Sequence, residues 1–189
     1  HARSAESIKR CIRHGVYMIY HATFADEEAL DMLEANRDRL FVSPNVGFTC
    51  ANLADRAARG CDREKAVFEG ELEAACKSLA ALRKRGVRIL GGGDYGFALT
   101  QHGQNARDIE YYVRVFGFSP MEAIQTMTRF GGEAMGLCEG VGQVKEGYLA
   151  DLLLLAANPL EDPSILQNPE NILAVMKDGK FDKEPRASN

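Results

Sequence analysis

Three side chains able to hold a metal ion or move a proton, His1, His21 and Asp94, each fall beside a short β-prone run. His21 directly follows the run at residues 16–20, and Asp94 follows residues 87–90 after Gly91-Gly92-Gly93. His1 directly precedes a helical segment, as a residue at the end of a strand does. In parallel α/β architectures the reactive groups collect at the C-terminal ends of strands. Each residue taken singly also fits a bland role: a solvated strand-end histidine, or an aspartate that caps a turn. Equivalent placement of all three weakens the bland reading and favours a constellation of metal-capable side chains.

The elements that must position them alternate. Residues 4–14 carry Ile8, Cys11 and Ile12 at helical spacing, with Ser4 as N-cap and Gly15 as the stop. Residues 26–36 are helical, with Leu30 and Leu33 on one face and acidic residues in the first turn. Residues 40–42 are apolar and end at Ser43-Pro44. Residues 46–61 mix Gly, Asn, Thr and Cys without periodicity and read as a long loop. The strongest helix spans 62–85, closed by Arg83-Lys84-Arg85 and Gly86. Residues 105–116 and 119–136 are helical, the second opened by Ser119-Pro120. Residues 141–155 and 172–181 read as β, with a turn at Asp178-Gly179.

Strands alternating with helices predict a parallel sheet with right-handed crossovers. Only three or four such strands are present, whereas eight close a (β/α)8 barrel. The choice therefore lies between a smaller open sheet and the second half of a barrel.

Composition narrows the function classes. The 189 residues carry a formal net charge of −4, without the basic stripe that nucleic acid needs. No apolar run approaches the roughly 20 residues of a membrane span, and no leader-like segment is visible. Five irregularly spaced cysteines (Cys11, Cys50, Cys61, Cys76 and Cys138) without a CxxC pair predict free thiols and a cytoplasmic setting.

Longer stretches resemble the amidohydrolase superfamily. His1-Ala2, Ser4-Ala5-Glu6-Ser7-Ile8, Gly15-Val16 and Ile19-Tyr20-His21 are similar to its strands five and six. Gly92-Gly93-Asp94 resembles its strand-eight aspartate motif, usually Gly-Thr-Asp. Ser119-Pro120-Met121-Glu122-Ala123-Ile124, Gly142-Gln143-Val144, Gly147-Tyr148-Leu149-Ala150-Asp151-Leu152, Asn158-Pro159-Leu160 and Val175-Met176-Lys177-Asp178-Gly179 resemble the segments that follow. The resemblance covers nearly the whole chain and is nearest the imidazolonepropionase-like and Xaa-Pro dipeptidase branch.

It implies an α/β fold: the C-terminal half of a (β/α)8 TIM-type barrel over residues 1–137, and part of a small composite β-domain over 138–189. It implies a centre of two divalent metals, usually zinc, with His1 and His21 on one metal and Asp94 as both ligand and proton acceptor. The family's His-x-His and its bridging carboxylated lysine have no counterpart among these residues. Completion of the site is therefore expected to need a missing N-terminal half of the barrel, or a homo-oligomer. Deaminase members carry a Glu where Ser4 stands, so the resemblance implies hydrolysis of an amide or peptide-like C–N bond in a small-molecule substrate such as a dipeptide or N-acyl amino acid. Two other readings stay open: a non-catalytic piece that pairs with the missing half, and a deaminase or lyase on the same scaffold.

Secondary candidates surround this set. His102, in the loop after Asp94, is a candidate substrate contact or a solvated histidine. Tyr20-His21-Ala22 replaces the family's commoner Glu-His-Gly, which makes Tyr20 the candidate substrate contact on that strand. Asn45 and Phe48 either line the pocket or shape the loop, with the latter favoured. His14 and Arg83-Lys84-Arg85 fit helix C-terminal caps, and Tyr111 and Tyr112 fit a core-facing helix.

Overall fold

The computed structural model describes residues 1–137 and 140–185. Four strands, β1 (Ala2–Ser4), β2 (Met18–Phe24), β3 (Phe41–Ser43) and β4 (Arg88–Ile89), form one parallel sheet in sequence order. Tyr20 pairs with Ser43 and Val42 with Ile89, so the strands finish side by side. β1 pairs only with the later part of β2, Ala2 opposite His21.

Local chemistry sets the connecting helices. Ser4 caps α1 (Ala5–Arg13) by accepting from the Ser7 amide, and Asp26 caps α2 (Glu27–Ala35) by accepting from the Ala29 amide. α4 (Asp62–Lys84) carries acids in its first turn and bases in its last. Ser119 and Glu122 form a capping box at the head of α6 (Pro120–Met127), with Pro120 in its first turn. Ile8, Ile12, Leu33, Leu79, Leu82 and Tyr112 pack from the helices onto Ile19, Val42 and Ile89 of the sheet. α5 (Arg107–Arg114) contributes Tyr112, whose hydroxyl donates to the Leu90 carbonyl at 2.8 Å and ties the end of β4 to the helix layer.

Several expectations change. Residues 46–59, expected in a loop, form α3 (Val46–Arg59), closed by left-handed Gly60. Its first turns hold weak helix formers (Val46, Gly47, Thr49, Cys50 and Asn52), but these are buried, and there packing overrides propensity. Residues 119–136 are two helices: Thr128 leaves helical geometry and separates α6 from α7 (Arg129–Ala134). Only Leu152–Leu155 (β5) of residues 141–155 is a strand, because left-handed Gly142 and Gly147 turn the chain before it. β5 pairs antiparallel with β6 (Ile172–Lys177), and β6 with β7 (Lys180–Lys183) through the expected turn at Asp178-Gly179. The strand expected at 16–20 starts at Met18 and continues through His21 to Phe24. The basic end of α4 is more than a solvated cap. Arg83 pairs with Glu122 and lies 4.0 Å over the Phe118 ring, while Arg85 binds Glu27, Asp31 and Glu34 of α2.

Cys11, Cys50, Cys61 and Cys76 are free thiols. Cys138, and the expected boundary between 137 and 138, lie outside the described residues. Among the described residues no helix is long and apolar enough to cross a membrane.

The close approach of α3 to the sheet makes one glycine indispensable. A methyl at Gly47 would collide with Asp108 Oδ1 and reach within 2.9 Å of Gly93 Cα, whereas one at Gly70, exposed in α4, would meet nothing within 4 Å. Gly47→Ala is therefore expected to destabilise the fold by about 1–3 kcal/mol. Gly70→Ala is expected to stabilise it by about 0.5–1 kcal/mol. Urea unfolding of the two variants reads the difference in sign.

Candidate functional site

Left-handed residues other than glycine lie within or just after three neighbouring strands. These are His21 (φ 76°) and Ala22 (φ 50°) in β2, Asn45 (φ 53°) after β3, and Asp94 (φ 52°) after β4. Such backbone is uncommon for residues with a Cβ, costs about 1–3 kcal/mol where it occurs, and gathers at functional sites. Here it turns the side chains of adjacent strand ends toward each other.

His1 precedes β1 instead of ending a strand, and His21 lies within β2 instead of following it. The pairing of Ala2 with His21 nonetheless sets the two rings together. His1 Nδ1 is 2.9 Å from His21 Nε2, a hydrogen bond in which one nitrogen donates and the other accepts. Tyr20 stacks on the His1 ring, centroids 5.1 Å apart, and its hydroxyl donates to Met18 Sδ at 2.9 Å. Asp94 Oδ2 is 4.0 Å from His21 Nε2. Asp94 Oδ1 accepts from Asn45 Nδ2 at 3.2 Å, and the Asp94 carbonyl accepts from Thr100 Oγ1 at 2.8 Å. Asn45 is buried, and its Oδ1 accepts from Ser43 Oγ at 2.9 Å. Sequence reasoning favoured a loop-shaping role for Asn45. In the structure it caps the strand end and holds the Asp94 carboxylate.

Burial lowers the His21 pKa, with Asp94 opposing and Arg3 adding to the fall. Neutral imidazole, the form that offers a nitrogen lone pair, is thereby favoured. Ligand atoms around a tetrahedral metal at 2.0–2.1 Å stand about 3.3 Å apart. The separations of 2.9 Å and 4.0 Å bracket that spacing, so two imidazoles and a carboxylate fit as a partial donor set. Among the described residues, however, no group of three or more His, Cys, Asp or Glu side chains is gathered closely enough to hold a metal ion by itself.

The remaining candidates divide. His102 is exposed, and its ring lies over Gly96, in the loop that follows Asp94. Phe48 meets Phe97 of the same loop edge-on at 5.2 Å. His14 is the C-cap of α1. Tyr112 is fully buried in the core.

Two further residues went unnoticed in the sequence. Asp108 on α5 is fully buried; its Oδ1 accepts from Tyr95 Oη at 2.8 Å, while Oδ2 has no hydrogen-bond partner among the described residues. An acid four residues before core Tyr112 lies on the buried stripe of its helix, and that spacing was the available signal. Burial pushes the Asp108 carboxyl up to about 6, with the Tyr95 and Gly92 hydrogen bonds and Arg107 pulling the other way. Burial also raises Tyr95, which therefore stays protonated and donates.

A carboxyl raised on folding from 3.8 favours the folded state most at low pH, and that contribution fades as pH climbs through about 6. Asp108→Asn removes this dependence. Its stability relative to the parent should rise between pH 5 and pH 8 by on the order of 1 kcal/mol, read by thermal unfolding at both values.

Comparison with known proteins now bears on this geometry. Residues 1–181 match the model of the amidohydrolase family. Ochratoxinase of Aspergillus niger is 28% identical over 98% of this chain. Its crystal structure superposes with a TM-score of 0.83 at 26% identity over 97% of this chain. A Xaa-Pro dipeptidase crystallised with methionine in its active site superposes with a TM-score of 0.77 at 30% identity over 97%. The chain spans 38% of the ochratoxinase sequence and 44% of the dipeptidase chain. With a family match across nearly its whole length, a parallel sheet whose strand ends gather histidine and aspartate, and a small antiparallel sheet behind it, this chain belongs to the amidohydrolase family.

Proposed function

We propose that this chain forms the His1, His21 and Asp94 part of a metal-dependent amidohydrolase that cleaves an amide or peptide-like C–N bond. The observation that carries the reading is the convergence of those three side chains, His1 ahead of β1, His21 within β2 and Asp94 after β4, with His21 and Asp94 on left-handed backbone. The likeness to ochratoxinase and to the Xaa-Pro dipeptidase supports hydrolysis, and a prolidase crystallised with N-methylphosphonate-L-proline (TM-score 0.81, 25% identity) supports a dipeptide or N-acyl amino acid as substrate. On this reading residues 1–137 are the later half of a (β/α)8 barrel. Residues 138–189 are part of a small β-domain.

A divalent metal, zinc by the character of the donors, would supply Lewis-acid polarisation of the scissile carbonyl and a lowered pKa for water. His1 and His21 would hold it, with Tyr20 keeping the His1 ring oriented by stacking. Of the two Asp94 oxygens, Oδ1 is engaged by Asn45 while Oδ2 faces His21. Oδ2 is therefore the atom that takes the proton from water as oxygen adds to the carbonyl carbon. The same proton passes to the leaving nitrogen as the C–N bond breaks, giving a carboxylic acid and an amine. His102 and Tyr20 are the candidate substrate contacts on the loop and strand beside it.

Metal content and dipeptide hydrolysis of the full-length protein test this. His21→Ala should lose bound zinc and lower kcat/KM by at least about 100-fold. Asp94→Asn should retain zinc better and lower kcat by about 10²–10⁴-fold. Absence of metal from the active parent protein, or full activity in His21→Ala, overturns the reading.

A further inference from the structure

Away from the paired imidazoles, the least explained group is Asp108, a fully buried carboxylate that touches no candidate ligand. The surroundings leave no space for a ligand around it. A methyl on Gly93 would come within 2.7 Å of its Oδ1, and one on Gly47 would collide with the same atom. What the carboxylate does touch is the segment on either side of Asp94. Tyr95 Oη donates to Oδ1 at 2.8 Å, and Gly93 packs directly against the same oxygen. The segment between those two contacts contains one chemistry-bearing side chain, Asp94, in left-handed backbone. α5 itself is fixed to the end of β4 one turn later by the Tyr112 hydroxyl on the Leu90 carbonyl.

We propose that Asp108 is a positioning residue: it holds Tyr95 and packs on Gly93 from the helix layer and so sets the Asp94 carboxylate against Asn45 and His21. The proposal rests on Asp94 being the proton-handling residue. A charge buried with one oxygen unpartnered is costly to keep. A role in packing alone would be filled equally well by a neutral amide of the same shape. A hydrogen bond from a neutral hydroxyl is stronger to a carboxylate than to an amide oxygen. The two contacts flank Asp94, so a slackened grip lets its carboxylate drift, and misplacement of a reacting group by about 1 Å can cost on the order of 10²-fold in rate.

The test uses full-length protein with ¹⁵N-labelled asparagine, in which the Asn45 side-chain amide reports its hydrogen bond to Asp94. Asp94→Ala defines the resonance of the freed amide. Asp108→Asn and Tyr95→Phe, each conserving shape, should both shift the Asn45 resonance toward that position. Each should lower kcat for dipeptide hydrolysis by about 10- to 100-fold with KM within about twofold. The double variant should lose little more than either single one, because both remove one device. An Asn45 resonance unmoved in folded Asp108→Asn and Tyr95→Phe overturns the proposal, whatever their thermal stability. The hydrolase reading fails separately: if the parent protein cleaves no amide, the Asn45 resonance still reads whether Asp108 sets Asp94.

Discussion

A parallel sheet finishes all its strands at one edge, but the side chains there normally alternate up and down and do not meet. The candidate site depends on breaking that alternation on three adjacent strands, within β2 and just after β3 and β4. His21 and Ala22, Asn45, and Asp94 each take a left-handed conformation that a residue with a Cβ adopts reluctantly. No single contact holds them so. Ala22 is completely buried, Asn45 is bonded to both Ser43 and Asp94, and the Asp94 carbonyl is held by Thr100. The strain is carried by a core in which Ile8, Ile19, Leu33, Val42, Leu79 and Leu82 are fully enclosed.

The same logic places stability and chemistry in opposition. A buried carboxylate on α5 and two glycine-tight contacts, Gly47 and Gly93, crowd the space beneath Asp94. An apolar residue at 108 and a looser first turn of α3 would make a more comfortable fold. What they would remove is the definition of one carboxylate's position. Such conflicts between local comfort and global arrangement are expected where a chain does work.

Much of the scaffold was legible because its signals are local. Ser4, Asp26 and the Ser119-Pro120 pair announce helix starts through the backbone donors they satisfy or do without, and the structure bears all three out. α3 was illegible because its opening residues, Gly47, Thr49, Cys50 and Asn52, are poor helix formers held helical by the tight space into which they pack, and they mask the alanine-rich turns that follow. The site divided in the same way. His1, His21 and Asp94 could be picked out by residue type and by resemblance, but their meeting depends on the register of Ala2 with His21. The left-handed φ of Ala22 also gives a physical account of why the related pattern more often has glycine there. Asp108 lay hidden because a charged residue on a helix reads as solvated until its neighbours are known.

The order of the parallel strands has a further consequence, for how the chain finds this arrangement. β1, β2, β3 and β4 lie in the sheet in the order in which they occur in the sequence. Each pairing closes one crossover, and none requires a later strand to be inserted between two already joined. Long-range parallel pairing is slow because a large loop must be closed before contacts repay it. Here that barrier is divided into successive closures, each guided by a capped helix that has its own reason to form. The longest crossover, from β3 to β4, contains α3 and α4, which pack on each other and shorten the distance the chain must search. Asp94 therefore hangs on the longest of the three closures, and the meeting of His1 with His21 on the shortest.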